Sequence, residues 1–331
     1  LSYCLMSNHL HVLLEVPPGC KKGESLGLSD EELIRRLGGL YSKNYTEQVG
    51  REIEAARSMM AGESSDGGEL TQVEKEERMR LGKEALEAIH VRYSYRMHSL
   101  SEFFKGMLQR FTCWFNREHG RRGTLWESRF RSVIVQDGLA ARTMAAYIDL
   151  NPVRAGMVDD PADYRWSSYG EAVGGGRGAK KAQTGLVRAM YSFGGREVGG
   201  RSWSQGGAGK EYRRILIAAG MEQEEDRSHS GAKQRVATRK GMDREKAKKE
   251  LERLSKDGTR DLKISKVIGC RVRYFSDGAV IGSRAFVDSV FNQSRDLFGP
   301  KRKDGARKPR GALGEMKGDL WSLRDLKSLS P

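Results

Sequence analysis

The stretch Leu5-Met6-Ser7-Asn8-His9-Leu10-His11-Val12-Leu13-Leu14-Glu15-Val16 decides how the rest of this 331-residue chain is interpreted. Side chains of a β-strand alternate between two faces, so a strand here would place His9, His11 and Leu13 on one face. At a rise of about 3.3 Å per residue, the two imidazoles are rooted roughly 6.6 Å apart, close enough to bind one metal ion. Histidines are more often ordinary surface or core residues, so this spacing permits chelation without proving it. We expect the other face to pack on a core; it carries Leu10, Val12, Leu14 and Val16.

A second informative stretch is LAARTMAAYIDLNPVRAG at residues 139–156. It predicts an alanine-rich helix that ends at Asn151, because Pro152 disfavours helical geometry in the residue before it. Tyr147 and Asn151 are four residues apart and therefore share a helix face. Taken alone, Tyr147 fits an ordinary amphipathic helix in which the tyrosine packs on a core and has only a structural role. Its combination with the paired histidines favours a functional site.

Four segments occur in a recognisable order along the chain. They are HLH at 9–11, WESRFRS at 126–132, YIDLNPVRAG at 147–156 and YRWSSY at 164–169. Together they resemble the REP-associated tyrosine transposases, a group of HUH single-tyrosine transposases, over roughly residues 1–173. The last two segments are the most specific. The resemblance implies an α+β fold with a ferredoxin-like (RRM-like) antiparallel sheet, which carries His9 and His11 beneath the tyrosine helix.

The resemblance also implies the roles of four residues. His9, His11 and Asn151 would hold a divalent cation, and Tyr147 would be the nucleophile. Two imidazoles and an amide oxygen leave room for phosphate oxygens and water, which suits Mg²⁺ or Mn²⁺. A tyrosine hydroxyl has an ordinary pKa near 10 and needs help to lose its proton. No general base is identified, since Asp149 lies on a different helix face from Tyr147.

The activity implied is metal-dependent cleavage and rejoining of single-stranded DNA, as in DNA transposition, near hairpins formed by palindromic repeats. A 5′-phosphotyrosine intermediate would conserve the energy of the cleaved bond. One alternative is a degenerate or domesticated protein that binds DNA hairpins without cutting them. Another is an HUH replication initiator or relaxase, which the segments at 152–155 and 166–169 disfavour. A homodimer is a further possibility that the sequence leaves open.

Net charge agrees with a nucleic-acid partner. The chain has 59 Lys plus Arg against 44 Asp plus Glu, a formal charge of +15. Basic residues alternate with aromatic ones between residues 99 and 131, so both phosphate contacts and base stacking become possible. The candidate DNA contacts are Lys105, Arg110, Arg121, Arg122, Arg129, Arg131 and Arg154. Arg154 has a second interpretation, as a cation that complements the end of the tyrosine helix.

The aromatic residues of this segment have a helical spacing. Phe104, Leu108, Phe111 and Phe115 fall at i, i+4, i+7 and i+11. This pattern favours a helix that buries the stripe in a core, with solvated arginines. After this helix, the alternation between residues 123 and 136 predicts strand structure.

The cysteine pattern and the hydropathy exclude several other classes. Four cysteines without C-x-x-C spacing argue against a zinc ribbon and a disulfide framework. Since no apolar run approaches the roughly 18 residues of a membrane span, we expect no membrane partner. The expected location is the cytoplasm, in association with the bacterial nucleoid.

We expect four regions along the chain. Residues 1–173 form the catalytic domain, without the first strand and helix that the resemblance implies, which would leave an unpaired sheet edge. Residues 174–209 read as a glycine-rich linker with a short helix at 186–191. Residues 210–298 form a mainly helical extension, with a short helix at 261–270 and a faint helix-turn-helix spacing over 264–289. Residues 299–331 form a basic tail that grips phosphates or stays disordered.

Overall fold

The structure is a computed structural model with two compact units. It describes residues 2–62, 71–193, 196–197, 201–204, 207–221, 240–254, 275, 278–300, 302–311, 314–315 and 319–324. Unit 1 comprises Leu1–Glu15 with Arg131–Pro331, and unit 2 comprises Val16–Phe130. The described residues are α+β, with helices and small antiparallel and mixed sheets.

The described residues of unit 2 form four helices, each with a side-chain cap at its start. They are α1 (Asp30–Gly38), α2 (Lys43–Met60), α3 (Gln72–Ser94) and α4 (Leu100–Glu118). Ser29, Ser42, Thr71 and Ser99 accept hydrogen bonds from first-turn N–H groups, which would otherwise have no partner within the helix. Thr71 and Glu74 cap each other reciprocally. These caps fix where each helix begins.

The core of unit 2 lies between α1, α2 and α3. Its buried members are Leu33, Leu37, Val49, Ile53, Ile89 and Tyr93. Helices α2 and α3 approach closely at Gly82, where an added Cβ would lie 2.6 Å from the carbonyl oxygen of Ala56. Real Cβ atoms essentially never come that near a backbone oxygen. Glycine is therefore required at this helix crossing.

Gly82→Ala is expected to destabilise unit 2 by about 1–3 kcal/mol, because α2 and α3 must move apart to admit the methyl group. The measurement is hydrogen exchange of α2 and α3 amides, which reports the free energy of local opening. Gly50→Ala is the matched control in α2, where nothing lies within 4 Å of an added Cβ. It should stabilise the helix by about 0.5–1 kcal/mol. Equal effects from the two substitutions would contradict the close crossing.

Helix α4 is followed by a segment without strand structure. Between residues 123 and 133 no strand forms, so the strand prediction holds only for β3 (Ile134–Val135). The segment instead folds back along α4: Trp126 Nε1 donates to Thr112 Oγ1 at 3.0 Å, and the Phe130 ring stacks on Phe104 at 4.6 Å. Side-chain contacts with α4 therefore take the place of the strand pairing expected for this segment.

Unit 1 begins with a hairpin of β1 (Ser2–Leu5) and β2 (Leu10–Leu13). The strands are antiparallel, with Cys4 opposite His11, and a tight turn brings Met6 N to His9 O at 2.8 Å. Leu13, on the histidine face, is buried, whereas Val16 is exposed. We expected the face of Leu10, Val12, Leu14 and Val16 to pack on the core, but the buried side chain of β2 is Leu13, which lies on the same face as His11.

The other edge of β1 forms hydrogen bonds with the segment at 164–169. Leu5 N donates to Trp166 O at 2.9 Å, Tyr3 N donates to Ser168 Oγ at 2.8 Å, and Cys4 forms a bridge with Ser167. Tyr164 Oη donates to Leu5 O at 2.5 Å. The segment at 164–169 thus covers the edge of β1 that does not pair with β2.

Six further α-helices of unit 1 occur among the described residues between 139 and 254. They are α5 (Leu139–Asp149), α6 (Asn151–Arg154), α7 (Ser168–Gly174), α8 (Ala179–Tyr191), α9 (Ala208–Gly220) and α10 (Arg244–Leu254). Of these, α5, α7 and α8 pack on the hairpin. The predicted tyrosine helix is confirmed as α5, although it ends two residues early, and the single turn of α6 begins at Asn151 with Pro152 as its second residue. In the region expected to be a linker, α8 is a 13-residue helix that buries Leu186 and Met190 in the main core. Its small residues lower its hydrophobic signal but allow close packing.

The C-terminal part of unit 1 forms a small mixed sheet and a helix. Strand β6 (Gly278–Gly282) pairs in parallel with β3 and antiparallel with β9 (Trp321–Arg324). Helix α11 (Arg284–Gln293) packs on this sheet through Val287 and Phe291. Two-stranded pairs form between β4 (Ser192–Phe193) and β5 (Arg196–Glu197), and between β7 (Arg310–Gly311) and β8 (Gly314–Glu315). Strand β9 lies within the stretch expected to be a basic tail.

Several expectations concern residues outside the described ones. The short helix predicted over 261–270 lies there, as do half of the residues in the helix-turn-helix spacing over 264–289 and residues 325–331. Among the described helices, none is long and apolar enough to cross a membrane.

Candidate functional site

The two histidines and Tyr147 lie together in unit 1. The ring centroids of His9 and His11 are 4.9 Å apart, and those of His11 and Tyr147 are 5.9 Å apart, both pairs edge to face. His11 is held by strand β2, and Tyr147 by the last turn of α5. His9 lies one residue before the strand, at the end of the hairpin turn. The structure thus brings together three of the four residues that the resemblance singled out.

The chemistry of the two histidines fits a metal-binding pair. Burial, with a smaller effect from the neighbouring His9, lowers the pKa of His11 to about 4, so its ring is neutral at pH 7 and keeps a lone pair. Nδ1 of His9 lies 2.6 Å from Asn8 Oδ1. In the tautomer in which Nδ1 donates to Asn8, Nε2 of His9 is the nitrogen that could bind a cation. No cluster of three or more His, Cys, Asp or Glu occurs among the described residues, so a cation here needs a ligand of another type.

Asn151 and Arg154 follow Tyr147 by one and two turns. The Asn151 amide donates to the carbonyl oxygens of Tyr147 at 3.0 Å and Ile148 at 3.3 Å, so its Nδ2 caps the end of α5. Its Oδ1 is the atom suited to a cation. The guanidinium of Arg154 lies 5.1 Å above the Tyr147 ring, a cation–π contact. Arg154 therefore contacts the Tyr147 ring, and it also lies just after the C-terminal end of α5.

Phe275 is a site residue that the sequence analysis missed. Its ring stacks on Tyr147 at 4.5 Å with only 17° between the planes. With His11, Arg154 and the surrounding core, it leaves Tyr147 only 1% exposed. Phe275 is 128 positions from Tyr147 in the sequence, so no local pattern connects the two. The sequence YFSDGAVIGSR at 274–284 was the nearest signal, because it links an aromatic pair to a short apolar strand.

A buried carboxyl anchors the end of the tyrosine helix. Asp149 is fully buried and accepts hydrogen bonds from Tyr212 Oη at 2.6 Å and Tyr169 N at 3.1 Å. Burial raises the pKa of Asp149 to about 7, although bonds from Tyr212, Tyr169 and Ser167 act in the opposite direction. This carboxyl joins α5, α7 and α9. It packs away from solvent and serves to position the helix that carries Tyr147.

Tyr212→Phe is expected to destabilise unit 1, and more so at pH 8 than at pH 5. An unfolded Asp titrates near pH 3.9, whereas folded Asp149 titrates near 7. Between these values the folded state holds the extra proton, so the free energy of unfolding falls by about 1.4 kcal/mol per pH unit as pH rises. Loss of the Tyr212 bond raises the folded pKa further and extends this fall to higher pH. Near pH 8 we expect a deficit of about 1–3 kcal/mol, measured by hydrogen exchange of α5 amides.

Tyr191→Phe is the matched control for this experiment. Tyr191 donates a hydrogen bond to Glu211, a carboxylate that is a quarter exposed and that water can solvate. Its loss should cost less than about 1 kcal/mol and should vary little between pH 5 and pH 8. A pH-independent deficit in Tyr212→Phe would argue against a protonated Asp149.

The predicted DNA contacts are divided between the two units. Lys105, Arg110, Arg121, Arg122 and Arg129 are exposed side chains of unit 2. Arg131 and Arg154 belong to unit 1, and the Arg154 guanidinium lies over the Tyr147 ring. Five of the seven predicted DNA contacts therefore belong to the unit that does not contain Tyr147.

Comparison of the chain with protein-family models, with curated proteins and with solved structures gave no match.

Proposed function

We propose that this protein cleaves and rejoins single-stranded DNA through Tyr147, as a transposase of the HUH single-tyrosine type. One observation carries the proposal: two imidazoles, a tyrosine and a guanidinium converge within contact distance. A ferredoxin-like sheet, a hairpin substrate, a homodimer and a location at the bacterial nucleoid belong to the same proposal. The buried pairing of β1, β2 and α5 supports it, since it holds a histidine strand against a tyrosine helix.

The reaction is a transesterification at phosphorus. The Tyr147 oxygen forms a bond to phosphorus while the bond to the 3′ oxygen breaks, and the tyrosine proton leaves as that oxygen gains one. The products are a 5′-phosphotyrosine and a free 3′-OH. Attack by another 3′-OH on the phosphotyrosine reverses the step and joins new ends without ATP.

The residues of the site would have separate roles in this reaction. Arg154, beside the tyrosine ring, would contact the scissile phosphate and offset its charge. His9, His11 and Asn151 would hold the divalent cation through two ring nitrogens and an amide oxygen. When bound, that cation supplies charge stabilisation for the phosphate and the leaving oxygen. Asp149 holds the last turn of α5 in place through Tyr212 and Tyr169.

The decisive experiment detects the covalent intermediate. The full chain is incubated with Mn²⁺ or Mg²⁺ and hairpin-bearing single-stranded DNA from its own genomic flanks, labelled at either end. A denaturing gel should show protein joined to the fragment on the 3′ side of the cut, and peptide mass spectrometry should locate the link at Tyr147. The adduct should disappear with chelator. Hairpin binding without any adduct, across all flanking sites, would overturn the proposal.

That negative result would favour the second candidate, a DNA-hairpin-binding protein that no longer cuts. The observation in its favour is the burial of Tyr147, whose side chain is 1% exposed. A nucleophile in this position must become accessible before it can reach a phosphate. The candidate predicts that hairpin affinity is the same for the wild type and for Tyr147→Phe, and that neither forms an adduct.

Phe275→Ala tests whether burial of Tyr147 beneath the Phe275 ring limits the rate of adduct formation. Removing the stacked ring opens one face of Tyr147, so adduct formation should accelerate by about tenfold, equivalent to about 1.4 kcal/mol of stacking and burial. Initial rates at saturating DNA provide the measurement. Phe298→Ala is the control, because Phe298 is a buried phenylalanine of the separate cluster around α11. A slower Phe275→Ala would indicate instead that the stacked ring orients the tyrosine.

A further inference from the structure

Helix α4 of unit 2 exposes aromatic rings that a core-facing helix would bury. Phe111 is 43% exposed and Trp114 is 48% exposed, although the helical spacing predicted a buried stripe. Only Phe104 of that stripe is buried. The prediction of a core role is therefore wrong for Phe111. Exposed large aromatics that cluster on one helix indicate a binding surface.

These rings are held in place by the segment that folds back along α4. Phe111 contacts Trp114, with ring centroids 5.5 Å apart, and Trp126, at 5.8 Å. Trp126 is fixed by its bond to Thr112, which in turn donates to Leu108 O at 2.8 Å. The rings therefore form a supported surface that is already arranged for a ligand.

Cations flank the exposed rings. Arg110, Trp114 and Arg117 are at i, i+4 and i+7, so both arginines border the Trp114 ring on the same helix face. All three side chains are exposed. Arg117 lies 3.6 Å from Glu118, and within the described residues Arg110 forms no ion pair. A flat apolar surface between positive charges complements a ligand that carries both π-faces and anions.

We propose that Phe111 and Trp114, flanked by Arg110 and Arg117, form a base-stacking platform for single-stranded nucleic acid. Unpaired bases stack on the rings, and the arginines bind the adjacent phosphates. Duplex DNA does not fit this surface, because its bases are already stacked on each other. The ligand class rests on the proposed function, whereas the platform is tested independently of the cleavage step. A second copy of this chain is the competing occupant of the surface.

Equilibrium binding tests the platform. The full chain is titrated against fluorescein-labelled dT12 in the presence of chelator, so that no metal-dependent cleavage contributes. Trp114→Ala should raise Kd by roughly 5- to 150-fold, the range that corresponds to one lost base stack. Trp114→Phe keeps a stacking ring and should remain within about threefold of the wild type. The same titration with a blunt duplex should show no effect of Trp114→Ala.

Trp166→Ala is the matched control. Trp166 is also about half exposed and also lies beside an arginine, Arg165, at 4.6 Å, but it belongs to unit 1. Its loss should change Kd by less than about twofold. Equal Kd values for the wild type and Trp114→Ala, or an equal loss in Trp166→Ala, would overturn the platform.

Sedimentation velocity distinguishes the competing occupant. A wild-type dimer that Trp114→Ala converts to monomer, with dT12 affinity unchanged, would identify the surface as a self-interface and overturn the proposal. Failure of the proposed function has a different signature. If no tyrosine adduct forms but dT12 binding depends on Trp114, the platform is supported and only the proposed cleavage activity is rejected.

Discussion

Tyr147→Phe is expected to abolish formation of the covalent protein–DNA adduct, with a loss of roughly 10⁴-fold or more. The substitution removes the hydroxyl that forms the bond to phosphorus and leaves the ring in place. Phe275 still stacks on that ring, and Arg154 still lies above it, so packing around the site changes little. DNA affinity should remain within about threefold of the wild type. The measurement combines adduct yield on a denaturing gel with Kd for the same oligonucleotide.

Two comparisons make this result specific. Tyr191→Phe removes a hydroxyl elsewhere in unit 1 and should leave the adduct yield unchanged. His11→Ala should reduce the yield strongly and lower the response to added Mn²⁺. If Tyr147→Phe retained the adduct, another residue would be the nucleophile and the assignment of the site would fail.

Gly170→Ala is expected to have the largest effect on stability. An added Cβ would lie 2.0 Å from the carbonyl oxygen of Tyr164 and 2.7 Å from its carbonyl carbon. Both atoms are backbone, and the turn at Tyr164 is itself tied to β1 through its hydroxyl and Leu5 O. The first turn of α7 must therefore move away from the strand edge that it helps to cover. We expect the free energy of unfolding to fall by about 4 kcal/mol or more, which corresponds to a fall of about 10 °C in the Tm of unit 1.

Gly174→Ala provides the control within the same helix. Nothing lies within 4 Å of an added Cβ at this position. Thermal denaturation followed by circular dichroism should show no loss of stability for this variant. If Gly170→Ala melted at the same temperature as Gly174→Ala, α7 would have room to adjust and the close packing at Tyr164 would not matter.

The sequence predicted elements whose signals are local. Helix α5 was predicted from its alanine content and from Pro152, and the structure confirms it to within two residues. The histidine segment was predicted as a strand, but not which of its faces packs on the core, because alternation separates two faces without saying which one is buried. The choice depends on α5, which buries the side of β2 that carries His11 and Leu13.

The parts that could not be predicted depend on distant partners. Helix α8 has glycine, lysine and alanine at positions that suggest a linker, but close packing of its small residues buries it against α5 and α9. The link between Asp149 and Tyr212 spans 63 positions, and the stack of Phe275 on Tyr147 spans 128. No periodicity within a helix or strand encodes such pairings. The candidate histidines and tyrosine were predicted from their segments, whereas the ring that covers the tyrosine was not.

Pairing of β6 with β3 has a consequence for how this chain can be inherited. Residues 278–282 complete a sheet that begins at residues 134–135, and Gln136 accepts a hydrogen bond from Ser283 N at 2.7 Å. Tyr212, beyond the segment at 164–169, donates to the carboxyl of Asp149. A recombination event that replaced everything after residue 173 would leave β3 without its partner strand and Asp149 without its hydroxyl donor. We therefore expect the region after residue 173 to be inherited together with the segment that carries Tyr147.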